Sequence, residues 1–347
     1  MTDSTIFKPF SEIIGQESPI RFLRGVMAKG KIPHAYLFTG PSGVGKTTTA
    51  LAFARDLNCH SPIDGEGCGK CLPCRKIMNG NFPDLGFVEP QGQNIKIQQM
   101  RDLTRALSFK PVGGRYRVSI IREAETMTDE AANSFLKTLE EPYPDNIFIL
   151  NVREALDLLP TIVSRCQKIS FRPIHTDAIA DWLMEKKGLD QERARVLAKI
   201  SEGSLGRAIR MCEGDYLEKR QEYLFRLLNL STLSWELSLE MALVCAGEQK
   251  RRGTDSSQTG EIGLLDLLSI WQTWYRDLIL IKMGSPTELL INLDFSHKLK
   301  NVSKSYTIEN LIKSFMVLDQ AQRDLLRTRN LDLMMENTVL SLKRLSG

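Results

Sequence analysis

The chain has 347 residues, 42% hydrophobic and 25% charged, with 46 basic against 42 acidic side chains and a formal net charge of +4. Such a length holds two or three domains and a substantial core, and such a composition excludes a disordered, fibrous or membrane-embedded chain. No apolar run approaches the roughly 18 residues of a membrane span, MTDSTIFKPF lacks the basic and apolar regions of a signal peptide, and the mild charge neither demands nor opposes nucleic acid, so a cytoplasmic protein is expected.

Ser18-Pro19 reads as an N-cap followed by proline at the first helical position, with Ile20, Leu23, Val26 and Met27 on one face and Gly30 at the end. AYLFT (35–39) reads as a buried strand and TTTALAFARDL (47–57) as a helix. LGFVE (85–89), RVSII (117–121), IFILN (147–151) and QKISF (167–171) read as further strands. Helices are expected between them, at Ile97–Leu107 and at Thr128–Glu141, where Pro142 stops the turn. Strands alternating with helices predict an α/β fold, a mostly parallel sheet covered on both faces.

After Pro173 the strand pattern ends. Residues 173–213 are expected to form a small helical unit, with Thr176 as cap and Gly188 as stop. Residues 214–347 are expected to form a larger all-helical unit, so the expected domains are 1–172, 173–213 and 214–347. QKRRGTDSSQTGEIG (249–263) is polar and rich in Gly, Ser and Thr, which predicts a mobile loop before the apolar WQTWYRDLILIK (271–282). Beyond Thr307, Ile308, Leu311, Ile312, Phe315, Leu318 and Leu325 keep a helical period. Such a stripe is most simply core, with partner contact as the second reading. No internal repeat is visible.

The stretch GPSGVGKT (40–47) fits G-x-x-x-x-G-K-[ST], between a predicted strand and a predicted helix. In that context its glycines let backbone N–H groups turn inward around phosphate oxygens, and the helix N-terminus adds partial positive charge. Lys46 is placed to reach the β- and γ-phosphates and Thr47 to offer a hydroxyl to Mg²⁺. Gly40, Gly43, Gly45, Lys46, Thr47 and the adjoining Thr48 form the expected nucleotide-binding set, for ATP or ADP. A chance glycine turn is the bland alternative; the flanking strand and helix argue against it.

Of the seven cysteines, Cys59, Cys68, Cys71 and Cys74 cluster as C-x8-C-x2-C-x2-C, while Cys166, Cys212 and Cys245 are scattered. In a reducing compartment such a cluster argues for metal over disulfides. Gly65, Gly67, Gly69 and Pro73 bend the chain between the thiolates, which suits a closed tetrahedral Zn²⁺ site with a structural role. His60 is a substitute ligand beside Cys59. Four ordinary reduced thiols are the bland alternative, and an iron–sulfur cluster is disfavoured because nothing else suggests redox work.

Together these pieces resemble the bacterial clamp-loader branch of the AAA+ ATPases. The segment FSEIIGQESPIRFLRGVMAKGKIPHAYLFTGPSGVGKTTTA looks like the family's opening, a GQ-containing stretch near the adenine pocket, a helix and then the phosphate loop. The four-cysteine insert (59–74), NSFLKTLEEP (133–142) and LPTIVSRCQ (159–167), with Ser164-Arg165-Cys166, are also similar to family signatures. The resemblance covers residues 10–213; in the last 134 residues only WYRDLILIK looks like the collar of the family's non-motor subunits. It implies an AAA+ P-loop domain with a zinc insert, a helical lid and an all-α collar. It also implies gamma/tau motor and delta subunits, a sliding clamp and primed DNA as partners, in DNA polymerase III. Arg165 would then be a finger reaching in trans into a neighbour's ATP site, where such arginines contribute about 10³–10⁵ in rate in GTPases. The alternative for Arg165 is a surface salt bridge.

Three positions depart from the motor pattern. Arg122 stands where the family's metal-holding aspartate falls, at the end of RVSII. A guanidinium about 5 Å from Mg²⁺ would repel it by roughly 7 kcal/mol at an effective dielectric of about 20. Glu123, at the general-base position, then lacks a well-held metal. The polar sensor after IFILN falls on Val152 or on Asn151, and in GSLGRAI (203–209) Gly206 falls where motors carry arginine, with Arg207 about 100° around the helix. This profile predicts a non-motor subunit with little or no ATPase of its own; a slow motor subunit is the alternative.

Overall fold

A computed structural model describes residues 7–252, 263–325 and 330–346. In chain order the elements are α1 (Glu17–Lys29), β1 (Ala35–Thr39), α2 (Lys46–Leu57), α3 (Leu72–Met78), β2 (Leu85–Val88), α4 (Ile97–Leu107), β3 (Arg117–Ile121), α5 (Asp129–Glu140), β4 (Asn146–Val152), α6 (Pro160–Val163) and β5 (Gln167–Ser170). Then follow α7 (Thr176–Lys187), α8 (Gln191–Ile200), α9 (Leu205–Cys212), α10 (Tyr216–Asn229), α11 (Trp235–Arg252), α12 (Leu264–Lys282), α13 (Ser296–Val302), α14 (Ile308–Leu325) and α15 (Leu331–Leu345). The chain divides into two compact units, one of residues 1–178 with 203–206 and the other of residues 179–202 with 207–347.

In the first unit, and among the described residues, the sheet is five-stranded and parallel, in the order β2-β3-β4-β1-β5. Its strands read as continuous apolar runs because both faces are covered. Tyr36, Phe38, Val118, Ile120, Ile147, Ile149, Ile169 and Phe171 pack with α2, Leu23 of α1 and Phe10. Leu37, Ile121, Phe148, Leu150 and Val152 face the other way, against Met100 and Leu107 of α4 and Phe135 and Leu139 of α5. Each strand thus feeds alternate residues to the two layers.

The opening helix begins earlier than its Ser18-Pro19 pair predicts. Gln16 is the cap: its carbonyl accepts from Ile20 N at 3.1 Å, and its buried side chain donates to Val44 O and Arg172 O. Pro19 then falls within the first turn, where an N–H has no intrahelical partner and proline costs no bond. At the other end Gly30 takes the left-handed conformation expected of a stop. Thr128 caps α5 through its hydroxyl, which accepts from Ala131 N at 3.3 Å.

The second unit is helical. Its α11 continues through Arg252, so residues 249–252 extend a helix rather than open a loop. Gln, Lys and Arg are good helix formers, which polarity alone did not weigh. The remainder of the expected mobile loop, 253–262, lies outside the described residues. The α14 stripe divides: Leu311 and Leu318 are buried with Ser314 and Ala321, while Ile308 and Ile312 are exposed. A polar cluster pins the segment after α12. Buried Asp277 accepts from Ile291 N, Asn292 N and Asn292 Nδ2, and buried Arg220 donates to Asn292 Oδ1 and, through two nitrogens, to Asp294.

Candidate nucleotide and metal sites

The phosphate loop connects β1 to α2. Gly40, Gly43 and Gly45 all have positive φ, and a Cβ at Gly40 would stand 2.4 Å from Phe171 O, so this turn admits only glycine there. Val44 is buried beneath the loop, and Gly206 N donates to Gly43 O at 2.9 Å. Lys46 Nζ donates to Gly40 O and, at 2.8 Å, to Pro41 O. Burial pulls the Lys46 ammonium down to about 8, against the support of Glu125 and Glu123 and with the help of Arg153.

The sheet register resolves the two sensor candidates. Asn151 Nδ2 donates to Thr47 Oγ1 at 3.1 Å, while Val152 packs on the opposite layer. A polar side chain therefore does stand beside the loop, and its Oδ1 is buried with no hydrogen-bond partner among the described residues. Arg207 pairs with Glu202 and Asp266. Glu125, which the sequence reading passed over, contributes more to Lys46 than Glu123 does; its Oε2 is buried without a partner among the described residues. Glu123 itself is exposed and held at φ 49°, ψ 49°, a left-handed conformation uncommon outside glycine. Thr48 is half-buried on α2.

Arg122 does not project bare charge into the site. Its Nη1 donates to Glu89 at 2.6 Å and its guanidinium lies 4.8 Å from the Phe87 ring centroid. Both partners flank the end of β2, the edge strand, on the side of β3 away from β4 and β1. The repulsion expected for an isolated guanidinium is correspondingly reduced by the paired carboxylate. Arg165, just past α6, donates to Glu140 at 2.5 Å, to Thr161 O at 2.9 Å and to Ser164 Oγ at 3.3 Å.

The thiols of Cys59, Cys68, Cys71 and Cys74 lie within 4.8 Å of one another. Tetrahedral zinc with Zn–S near 2.3 Å separates sulfurs by roughly 3.8 Å; Cys59 and Cys71 are 3.9 Å apart. Backbone N–H groups already point at the sulfurs, Cys68 N to Cys59 Sγ at 3.2 Å and Cys71 N to Cys68 Sγ at 3.3 Å. Those of Cys71 and Lys70, with the Ser61 hydroxyl, lower the Cys68 thiol to about 6, whereas burial pushes Cys74 up. Thiols at this spacing, with donors aimed at sulfur, fit a closed Zn²⁺ site. His60 is exposed and outside the group.

The phosphate loop between β1 and α2, the parallel sheet and the helices on both faces define an α/β protein of the P-loop type. A family model described as DNA polymerase III, delta subunit, matches residues 15–175. The DNA polymerase III subunit delta' of Bacillus subtilis is 30% identical over 330 residues, 94% of this chain and 96% of that one. The tau subunit of the same organism is 28% identical over 97% of this chain, which spans only 62% of that relative's length. A gamma-subunit-related protein of Thermotoga maritima aligns with a TM-score of 0.46 and 20% identity, over 95% of this chain and 100% of that one. The chain belongs to the clamp-loader family of DNA polymerase III subunits. Among the described residues no helix is long and apolar enough to cross a membrane.

Proposed function

We propose that the chain is a delta'-like, non-motor subunit of a clamp loader, working in the cytoplasm with gamma/tau and delta subunits to load a sliding clamp on primed DNA. Residues 1–172 form its P-loop domain with the zinc insert, 173–213 its lid and 214–347 its collar. Gly40, Gly43, Gly45, Lys46, Thr47 and Thr48 hold ATP or ADP weakly, and the chain turns over little of it. Cys59, Cys68, Cys71 and Cys74 hold one structural Zn²⁺. Arg165 exchanges Glu140 for a neighbour's phosphate and completes that neighbour's site.

The observation that carries this reading is Arg122. Where a motor needs a carboxylate to hold Mg²⁺, the chain has a guanidinium, anchored by Glu89 and Phe87. One observation favours the alternative of a slow motor: Asn151 stands against Thr47, as a working sensor would. The test is reconstitution with motor and delta subunits, scored for clamp loading and stimulated ATPase with Lys46→Ala in this chain. Unchanged ATPase supports the non-motor role; loss of this chain's proportional share supports the motor. Metal analysis of the chain, purified without added zinc, is expected to give close to one equivalent, lowered in Cys71→Ser.

A further inference from the structure

The zinc loop touches the elements that frame the phosphate loop. Ile63 and Glu66 exchange backbone hydrogen bonds across Asp64-Gly65, both with positive φ, a two-residue hairpin turn. This turn sets Glu66 and Gly67 immediately before Cys68. The Glu66 carboxylate accepts from Ser11 Oγ at 3.0 Å and pairs with Arg24 of α1. Arg24 in turn lies 6.0 Å from the centroid of the Phe10 ring, buried in the same layer as Val44. Ile13 follows within the same short segment, and a Cβ at Gly45 would stand 3.8 Å from its Cγ2. Gln16 closes the segment by donating to Val44 O. On the other side of the turn, Gly67 N donates to Asp56 Oδ1 at 2.7 Å, in the last turn of α2. The fit is close, since a Cβ at Gly67 would meet Arg55 Nε at 2.7 Å.

We propose that the zinc loop braces the nucleotide site: Glu66 is a positioning residue that holds the segment Pro9–Gln16 against the phosphate loop, so that metal at the four cysteines tightens nucleotide binding. This rests on the zinc reading above and deepens it. The ligand Cys68 lies two residues from Glu66 and one from Gly67, so coordination there fixes both contacts at once. None of the four cysteines needs to approach the phosphates. The path runs through packed side chains and hydrogen bonds from Cys68 to Glu66, Ser11 and Arg24, then to Phe10 and the phosphate loop.

The test is amide hydrogen exchange of the full chain, with metal content and ADP affinity measured on the same samples. Three samples are compared: the chain as purified, the chain after chelation, and Glu66→Ala. Exchange at residues 9–16 is expected to rise about tenfold in both altered samples, with α4 unchanged, as loss of a charge-assisted contact at a local opening predicts. ADP affinity is expected to fall by a similar factor, and Glu66→Gln, which still accepts from Ser11, to recover part of the protection. Glu66→Ala that keeps its metal and full protection at 9–16 overturns the brace. So does faster exchange after chelation alone, because the metal would then act by another route. Should the purified chain carry no metal, the zinc reading fails, while the Glu66→Ala comparison still decides the brace.

Discussion

The ends of β3 and α6 each carry an arginine, and the two surroundings are nearly alike. Arg122 pairs with Glu89 at 2.6 Å, side chains 32% and 50% exposed; Arg165 pairs with Glu140 at 2.5 Å, side chains 34% and 50% exposed. Neither overall exposure nor the paired carboxylate distinguishes them. The difference lies in what else each touches. Arg122 is stacked on Phe87 and its Nε is buried with no partner among the described residues, so moving it uncovers packing. Arg165 is otherwise held by Thr161 O and Ser164 Oγ, contacts that water replaces readily. One arginine is built into its surroundings and the other is held by exchangeable contacts, as the proposed role of Arg165 at a neighbour's site requires.

The largest effect is expected at Arg165. In the reconstituted loader Arg165→Ala should slow hydrolysis at the interface it completes by about 10³–10⁵-fold, seen as a partial loss of total ATPase and a deeper loss of clamp loading. Arg165→Lys should fail nearly as badly, since an ammonium lacks the planar fork. Normal loading by Arg165→Ala would break the contrast and leave both arginines structural.

Next comes the pH dependence of the chain's own site. Lys46 titrates near pH 8 when free, and a bound phosphate should raise it again. Binding must then take up protons above about pH 8, and affinity should fall by up to about tenfold per pH unit there. Calorimetry in two buffers of different ionisation heat reads the uptake directly. No uptake at pH 8–9 would mean that Lys46 does not face the phosphates.

Smaller effects should separate the two ion pairs. Arg122→Ala should cost about 1 kcal/mol in denaturant unfolding, from the lost stack and the largely exposed pair. Arg122→Asp should make ADP binding by the isolated chain a few-fold more dependent on Mg²⁺ without bringing robust turnover. Smallest of all, Glu140→Gln should change stability by less than about 1 kcal/mol and, if Arg165 is a finger that only rests on Glu140, leave clamp loading normal. A loading defect in Glu140→Gln would show that Arg165 is positioned by its partner.

Local spacing made much of this readable in advance. The phosphate loop, the four cysteines and the strands announce themselves within a few residues, because glycine, thiol and apolar patterns act at short range. Register was harder. Asn151 and Val152 differ by one residue, and one residue on a strand exchanges the two faces. Partners distant in sequence were not readable at all: Glu89 lies 33 residues from Arg122 and Glu66 lies 55 from Ser11. Ser18 looked like a helix cap because its type favours caps, yet the buried amide of Gln16 fixed the start through Val44 and Arg172. At that helix start tertiary contact outweighed local preference.

The polar cluster of the second unit has a consequence for how this sequence can drift. Asp277 and Arg220 are 0% and 1% exposed and both bond Asn292, while each keeps a charged partner of its own, Arg276 for Asp277 and Asp294 for Arg220. Losing Asp277 leaves the Ile291 and Asn292 N–H groups without their acceptor, and losing Arg220 leaves Asn292 Oδ1 without its donor, at about 1–3 kcal/mol per buried group, whereas replacing the set by well-packed apolar residues is often neutral. The acceptable states are the whole cluster or none of it, with a valley of unstable single mutants between them. Descendants of this chain should keep all four side chains together or exchange them as a block, and the block should outlast the surface around it.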